Sequence, residues 1–282
     1  MVPHTRADVL AWCRTIDDGP WSSLAVPERI TYTSHDLVVE LAAAAALTER
    51  VRLWSTIVVL PAHDAVDMAK KMASIDVLSG GRLTMGIGVG GREDDYRAVG
   101  APFNRRWARM DEQVATMRKV WSGEPPFEGA DPVGPPPVHG DIPLVSGSMG
   151  PKAMARAAQW ADGVDGPWTI TGGTVGLIEG VEMVRQAWRD AGRDDQPHIS
   201  TSAWYALGPD AGDRLKGYAY DYLRIFGPDF AQAMADRASS NSAEALRGLV
   251  EECAAAGIDE LFLVPTTADV SEIDRTRDAL GV

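Results

Sequence analysis

Three short stretches of the 282-residue chain combine residue types at spacings that can hold or transform a small molecule. Gly86-Ile87-Gly88-Val89-Gly90-Gly91 removes side chains from alternate positions, which lets backbone amides come close to a flat ring or a phosphate and also suits a tight turn. It neither opens a helix as a dinucleotide fingerprint would nor leads into Gly-Lys-Ser/Thr, so nucleoside triphosphates are disfavoured. Glu93, Asp94 and Asp95 follow, an acidic run suited to a helix start as well as to a ligand. Ser146-Gly147-Ser148-Met149-Gly150-Pro151-Lys152 is a small turn entering a helix with proline at its first position. Free amides, the local dipole and Lys152 favour an anion there, although Gly-Pro is also plain helix punctuation. Glu28-Arg29 places an acid beside a base where a barrel mouth would lie, an arrangement shared with surface salt bridges. Trp21, Trp54 and Trp168 stand near strand ends and offer flat apolar walls, a use that competes with core packing.

What positions these residues is an alternation of short β-rich runs with helical periods, the pattern of repeated strand-helix units and a parallel sheet. Ala7 to Asp17 reads as a helix and Ser23 to Val26 as a short strand. Thr33 and Asp36 form a capping box before Leu37, Leu41 and Ala45. Val51 to Val59 is a continuous β-branched run suited to a strand covered on both faces. Val66, Ala69, Ala73 and Val77 follow at helical spacing, closed by Gly80-Gly81, and Arg82 to Gly88 is the next strand. Trp107, Met110, Val114, Met117 and Trp121 trace one buried helical stripe. Gly123 to Gly140, with Pro135-Pro136-Pro137 at its centre, is an excursion or lid. Strand Ile142 to Val145, helix Pro151 to Ala161, strand Gly163 to Asp165 and the Leu177 to Trp188 helix resume the rhythm. Ile199 to Leu207 is another strand, and residues 211–238 hold two extra helices divided near Gly227-Pro228. Ser242 caps a further helix ahead of strand Leu261 to Val264. The pattern predicts an α/β protein, a (β/α)8 TIM barrel in one domain over 1–282, with a short or truncated first strand at Met1-Val2 that raises the question of a shortened chain start.

Composition narrows the function classes. Forty acidic against 27 basic side chains give a formal charge of -13, which disfavours nucleic acid and anionic membrane surfaces. No apolar run reaches the ~20 residues of a membrane span, and the first ten residues lack a signal-peptide core, so a cytoplasmic protein is expected. Cys13 and Cys253 are far apart in sequence and read as buried free thiols. The five histidines show no HxH or HExxH spacing, so no metal is expected and a metal-dependent barrel hydrolase is the weakest reading.

In their order, Val51 to Pro61, Ser79-Gly80-Gly81-Arg82-Leu83, Gly86 to Gly90, Ser148 to Ala153 with Ala161-Asp162-Gly163, and Asp259-Glu260-Leu261 resemble the luciferase-like monooxygenase family over nearly the whole chain. The resemblance implies a barrel binding FMN or the deazaflavin coenzyme F-420 with the tricyclic ring at the mouth, often in a homodimer. It places Glu28 at an acidic position near the ring and Val58, Val59 and Leu60 on the strand that lines it, with a non-proline cis peptide expected at Ile57-Val58. Val89, Gly90 and Asp94 come beside the ring, and Met149, Gly150, Lys152 and Ala153 at the cofactor phosphate. Arg29 stands where luciferase and the F-420-dependent sugar-phosphate dehydrogenases carry a functional histidine. Gly91 replaces the glutamate of those dehydrogenases, and Val89 an arginine that binds FMN phosphate in luciferase. The expectation is therefore a flavin-type oxidoreductase or monooxygenase using FMN or F-420 on a small organic substrate, with a flavin or F-420 reductase as donor. Glu28 and Arg29 are its candidate catalytic pair and Trp168 its substrate wall; a flavin-binding protein without turnover is the alternative.

Overall fold

The computed structural model describes residues 4–282, so the expected short strand at Met1-Val2 lies outside the described residues. The chain forms two compact units, an N-terminal one over Trp12–Gly147 and a C-terminal one over Ser148–Val282 with the segment up to Ala11. Helix α1 is Arg6–Asp18.

The N-terminal unit carries β1 (Ser23–Val26), α2 (Leu37–Leu47), β2 (Arg52–Val59), α3 (Ala65–Ser79), β3 (Leu83–Gly88), α4 (Glu93–Val99), α5 (Arg106–Trp121) and β4 (Leu144–Gly147). Its strands pair in chain order and all run parallel. Covered on both faces, β3 has every residue buried, which explains its unbroken apolar and glycine run. Asp36 alone caps α2, accepting from Val39 N, while Thr33 lies upstream of the helix. Asp64 caps α3 by accepting from Val66 N and Asp67 N, and Gly80 ends it in the left-handed region. Of the expected stripe of α5, Met110, Val114, Met117 and Trp121 are buried while Trp107 is half-buried, and Trp121 Nε1 donates to Ala69 O of α3 at 3.0 Å.

Proline-rich residues 123–140 are an excursion along α3. Asp76 Oδ2 accepts from Val138 N at 2.8 Å and Lys70 Nζ donates to Gly134 O at 3.0 Å. A side chain at Gly81, just before β3, would strike His139 Nε2 at 2.6 Å. The excursion thus flanks the end of β3 opposite Gly88. β4 starts two residues later than the sequence pattern suggests, after Pro143, whose missing N–H cannot join a ladder.

The C-terminal unit carries α6 (Pro151–Ala157), β5 (Gly163–Gly166), α7 (Leu177–Asp190), β6 (His198–Tyr205), α8 (Ala211–Leu223), α9 (Pro228–Asp236), α10 (Ala243–Ala256), β7 (Glu260–Pro265) and α11 (Ser271–Leu280). β5, β6 and β7 are parallel neighbours in that order. Val164, Ile199 and Ala203 pack on Val181, Val184 and Trp188 of α7 and on Leu249 and Cys253 of α10, so these faces point to the helices. The two extra helices appear as α8 and α9, with the break at Gly227.

Two arginine-centred knots tie loops to strands in the N-terminal unit. Asp17 accepts from the amides of Glu49, Arg50 and Val51, while Arg50 donates to the carbonyls of Ile16, Asp17, Gly19 and Trp21. Although desolvation raises the Asp17 pKa, the three amides and Arg50 outweigh it and hold the carboxyl below its ordinary value. Arg82 donates to Val51 O and Thr48 O, both at 2.6 Å, and to Ser79 O at 2.7 Å, so one fork satisfies the end of α2, the turn after α3 and the start of β2. Arg82→Met leaves those carbonyls without the fork and is expected to lower unfolding stability by about 2–4 kcal/mol in urea melts. A loss under about 0.5 kcal/mol, the size of an ordinary surface change, would make the fork dispensable.

Candidate functional site

In the N-terminal unit the geometry is set by a bulge in β2. Ser55 is in register with Met85, but the next aligned pair is Val58 with Ile87, so Thr56 and Ile57 occupy extra length. The Thr56–Ile57 bond is a non-proline cis peptide, one bond before the Ile57-Val58 expected. Room for the bulge comes from glycines. A Cβ on Gly86 would lie 2.1 Å from Ser55 O, one on Gly88 2.1 Å from Ile57 Cδ1, and one on Gly147 2.8 Å from the same methyl. The glycine runs of β3 and β4 therefore admit a neighbouring strand here, and they leave Ile57 half-buried at the strand ends.

Glu28 braces the end of this bulge. Its Oε2 accepts from Val59 N at 2.6 Å and its Oε1 is 2.9 Å from His63 Nε2, while Gln113 Nε2 donates to His63 O at 2.7 Å. Both carboxylate oxygens are thus engaged in holding backbone and imidazole. Val58, Val59 and Leu60 are buried, supporting the bulge as core. A Cβ on Gly90 would meet Val59 Cγ1 at 2.9 Å, and Tyr96 OH donates to Val89 O at 2.5 Å, so the turn after β3 is pinned to the end of β2. Arg29 is 7% exposed, and its guanidinium stacks 4.4 Å from the centre of the Tyr32 ring. The adjoining Thr31 donates through both N and Oγ1 to Asp95 Oδ1. Asp95 is the buried member of the acidic run. Asp94, expected beside a ring, faces solvent from the first turn of α4 and pairs with Arg97 at 3.4 Å.

In the C-terminal unit, Ser148 N donates to Asp165 O at 3.0 Å, fixing the turn ahead of α6 to β5. Gly150 caps α6 with φ +78°, and the direction a Cβ would take meets nothing within 4 Å. Met149 and Lys152 are exposed and Ala153 is buried. Trp168 packs outward: a Cβ on Gly166 or on Gly180 of α7 would lie 2.5 or 2.2 Å from its ring, so the indole fills a seam between β5 and α7. Asp165 was not singled out by any motif. Its backbone holds Ser148, its carboxylate accepts from Ser200 Oγ at 2.9 Å, and its neighbour Val164 points to the helices. Some of the residue meets solvent, but protein surrounds the carboxyl, and desolvation outweighs the Ser200 hydrogen bond to push its pKa up to about 6. A lone acid inside an otherwise apolar and glycine strand is the sequence signal that could have marked it.

A family model described as luciferase-like monooxygenase matches residues 3–270. The chain therefore belongs to the luciferase-like monooxygenase family, and the fold is the TIM barrel of that family. It is similar to the uncharacterized protein Rv0953c of Mycobacterium tuberculosis, 36% identical over 169 residues, which are 57% of this chain and 58% of that one. The chain thus spans somewhat over half the length of that curated relative. Among solved structures it is similar to an F-420-dependent secondary alcohol dehydrogenase in complex with an F-420-acetone adduct, with a TM-score of 0.81, 19% identity and coverage of 99% and 96% of the two chains. It is also similar to the oxygenating constituent of 3,6-diketocamphane monooxygenase of Pseudomonas putida in complex with FMN, with a TM-score of 0.69, 15% identity and coverage of 96% and 94%. At these identities the likeness is one of fold. No helix among the described residues is long and apolar enough to cross a membrane.

The glycine contacts predict a pattern of rescue. Gly88→Ala collides with the flexible end of Ile57 and is expected to cost roughly 1–3 kcal/mol, largely recovered in a double variant with Ile57→Val. Gly86→Ala collides with Ser55 backbone and is not recovered. Equal rescue of both in thermal or urea melts would reject this account of the strand. Asp165 predicts a pH dependence. A carboxyl that keeps its proton to about pH 6 when folded, against about 3.9 when unfolded, makes the native state bind more protons between those values. Stability then falls as pH rises from about 4 through 6 and levels off about one unit above the folded pKa. Relative to Asp165→Asn, the unaltered protein should lose roughly 1–2 kcal/mol over that interval; parallel pH profiles would contradict it.

Proposed function

We propose that this chain is an oxidoreductase or monooxygenase of the luciferase-like type that binds FMN or coenzyme F-420 and acts on a small organic substrate. The observation that carries the reading is the glycine-cleared bulge of β2, which leaves Ile57 half-buried at the strand ends as an apolar rest for a flat ring. The residues present fit such a group in a second respect. Gly150 leaves open space beside the backbone of its turn, and Lys152 is exposed one residue past Pro151, as an anionic tail requires. The bound cofactor supplies the hydride or oxygen chemistry, and the protein supplies binding and orientation.

In this reading Val58, Val59, Leu60, Val89 and Gly90 hold the ring's support in place, and Met149, Gly150, Lys152 and Ala153 take the phosphate. Arg29, set by Tyr32, offers positive charge to an anionic form of the ring. Glu28 acts through the backbone it braces, as a positioning residue, because its two oxygens are spent on Val59 N and His63. Asp94 and Trp168 stand at the margin of the proposal: one meets the ligand only by leaving Arg97, the other only through the exposed part of its ring. A single barrel domain over 1–282, a homodimer and a separate reductase donating to the cofactor complete the proposal. Arg29 and Gly91, where well-known relatives carry other groups, favour binding without turnover as the second reading.

Absorbance and fluorescence titrations of the protein with FMN and with F-420 test it. Sub-micromolar binding of one, weakened at least about tenfold by Gly150→Val or Lys152→Ala, is the expected result. Binding of neither removes the proposal; tight binding with no reoxidation by any acceptor leaves the second reading. Arg29→Met is expected to lower turnover more than cofactor affinity, and an unchanged rate would remove Arg29 from the chemistry.

A further inference from the structure

Along β6, Ala203 and Tyr205 face the outer helices: Ala203 packs with α7 and α10, and Tyr205 with Leu246 and Ala279. Trp204 must point to the opposite face, by the two-residue alternation of a strand. It lies near the carboxyl end of β6, in register with Val264 of β7, and its N donates to Ile170 O at 3.1 Å in the segment after β5. Barrel enzymes collect their sites at this end of the strands. Helix α8, part of the insertion 211–238, lays two tyrosines on the indole. Trp204 and Tyr222 have ring centres 4.9 Å apart, Trp204 and Tyr218 5.6 Å apart in an edge arrangement, and the two tyrosine rings are within 21° of parallel one helical turn apart. Trp204 is 3% exposed, whereas Ile170, Val264 and both tyrosines are half-buried.

Leu215, Ala219 and Leu223 form the α8 stripe that meets Ala231 and Ala235 of α9, and Tyr218 and Tyr222 flank it over the strand end. A buried indole fixing the planes of two half-buried phenol rings, beside two aliphatic side chains from neighbouring strand ends, is a surface suited to one class of ligand. We infer that Tyr218 and Tyr222, backed by Trp204, form the wall that receives the uncharged aromatic portion of the substrate. Aromatic faces prefer offset or edge contact with another ring, which a saturated chain cannot reproduce. That the bound compound is the substrate rests on the redox reading above; that the wall binds aromatic compounds does not.

The test is calorimetric titration of the full chain with 2-naphthol, n-hexanol and glucose, with and without FMN or F-420. The expected result is 2-naphthol binding at least about tenfold tighter than n-hexanol, with no detectable glucose binding. Tyr218→Ala and Tyr222→Ala should each weaken 2-naphthol about tenfold, while Tyr222→Phe, which keeps the ring, retains affinity and all three keep the circular dichroism spectrum and cofactor affinity of the parent. Equal affinity for 2-naphthol and n-hexanol, absence of 2-naphthol binding in every condition, or indifference to both alanine variants overturns the inference. Tyrosine-dependent 2-naphthol binding in a protein that takes up neither cofactor leaves this wall standing and removes the redox reading instead.

Discussion

Ile57 occupies space that β3 and β4 leave by giving up side chains at Gly86, Gly88 and Gly147. Packed interiors do not stretch to admit an extra residue, so a bulge in a covered parallel strand survives only where its neighbours are cut back to backbone. Much of the N-terminal unit's site follows from that accommodation. Lengthening β2 by the bulge carries Val59 to where Glu28 and the Gly90 turn can grip it, and the Tyr96 hydroxyl then fixes the turn itself. Three glycines in two strands and one carboxylate in a third loop are thus answers to a single steric problem.

Several of the chain's carboxylates are engaged by backbone amides. Asp17 holds three amides, Glu28 one, Asp76 the amide of Val138, Asp259 that of Ile199, and Glu272 that of Leu207 while paired with Arg214 and Arg275. A carboxylate that accepts an amide satisfies a donor that would otherwise be orphaned at a loop, and it does so with a stronger bond than a neutral acceptor provides.

Much of the architecture was legible in the residues. Caps such as Asp64 with Gly80, the α5 stripe and the β-branched run of β2 act through local geometry, so spacing alone locates them. The non-proline cis peptide lies one bond before the expected position and β4 begins two residues later, because both depend on what a neighbouring strand allows. The capping pair before α2 reduced to Asp36, since a cap is decided by which side chain reaches the Val39 amide. Site residues were less legible still. Glu28 was visible as an acid at a strand end, but only the fold shows both of its oxygens committed. Asp165 carries no motif, and nothing in the spacing of residues 211–238 marks Tyr218 and Tyr222, because only the fold brings Trp204 of β6 beneath them.

Residues 123–140 wrap α3 at the end of β3 opposite Gly88, held by Asp76 and Lys70. Such a segment can change length, accept a label or carry a fused peptide with the glycine-cleared seat left as it is. For engineering, this proline-rich strap is the natural handle of the molecule: a place to grip the protein, immobilise it or attach a reporter at the end of β3 away from Gly88.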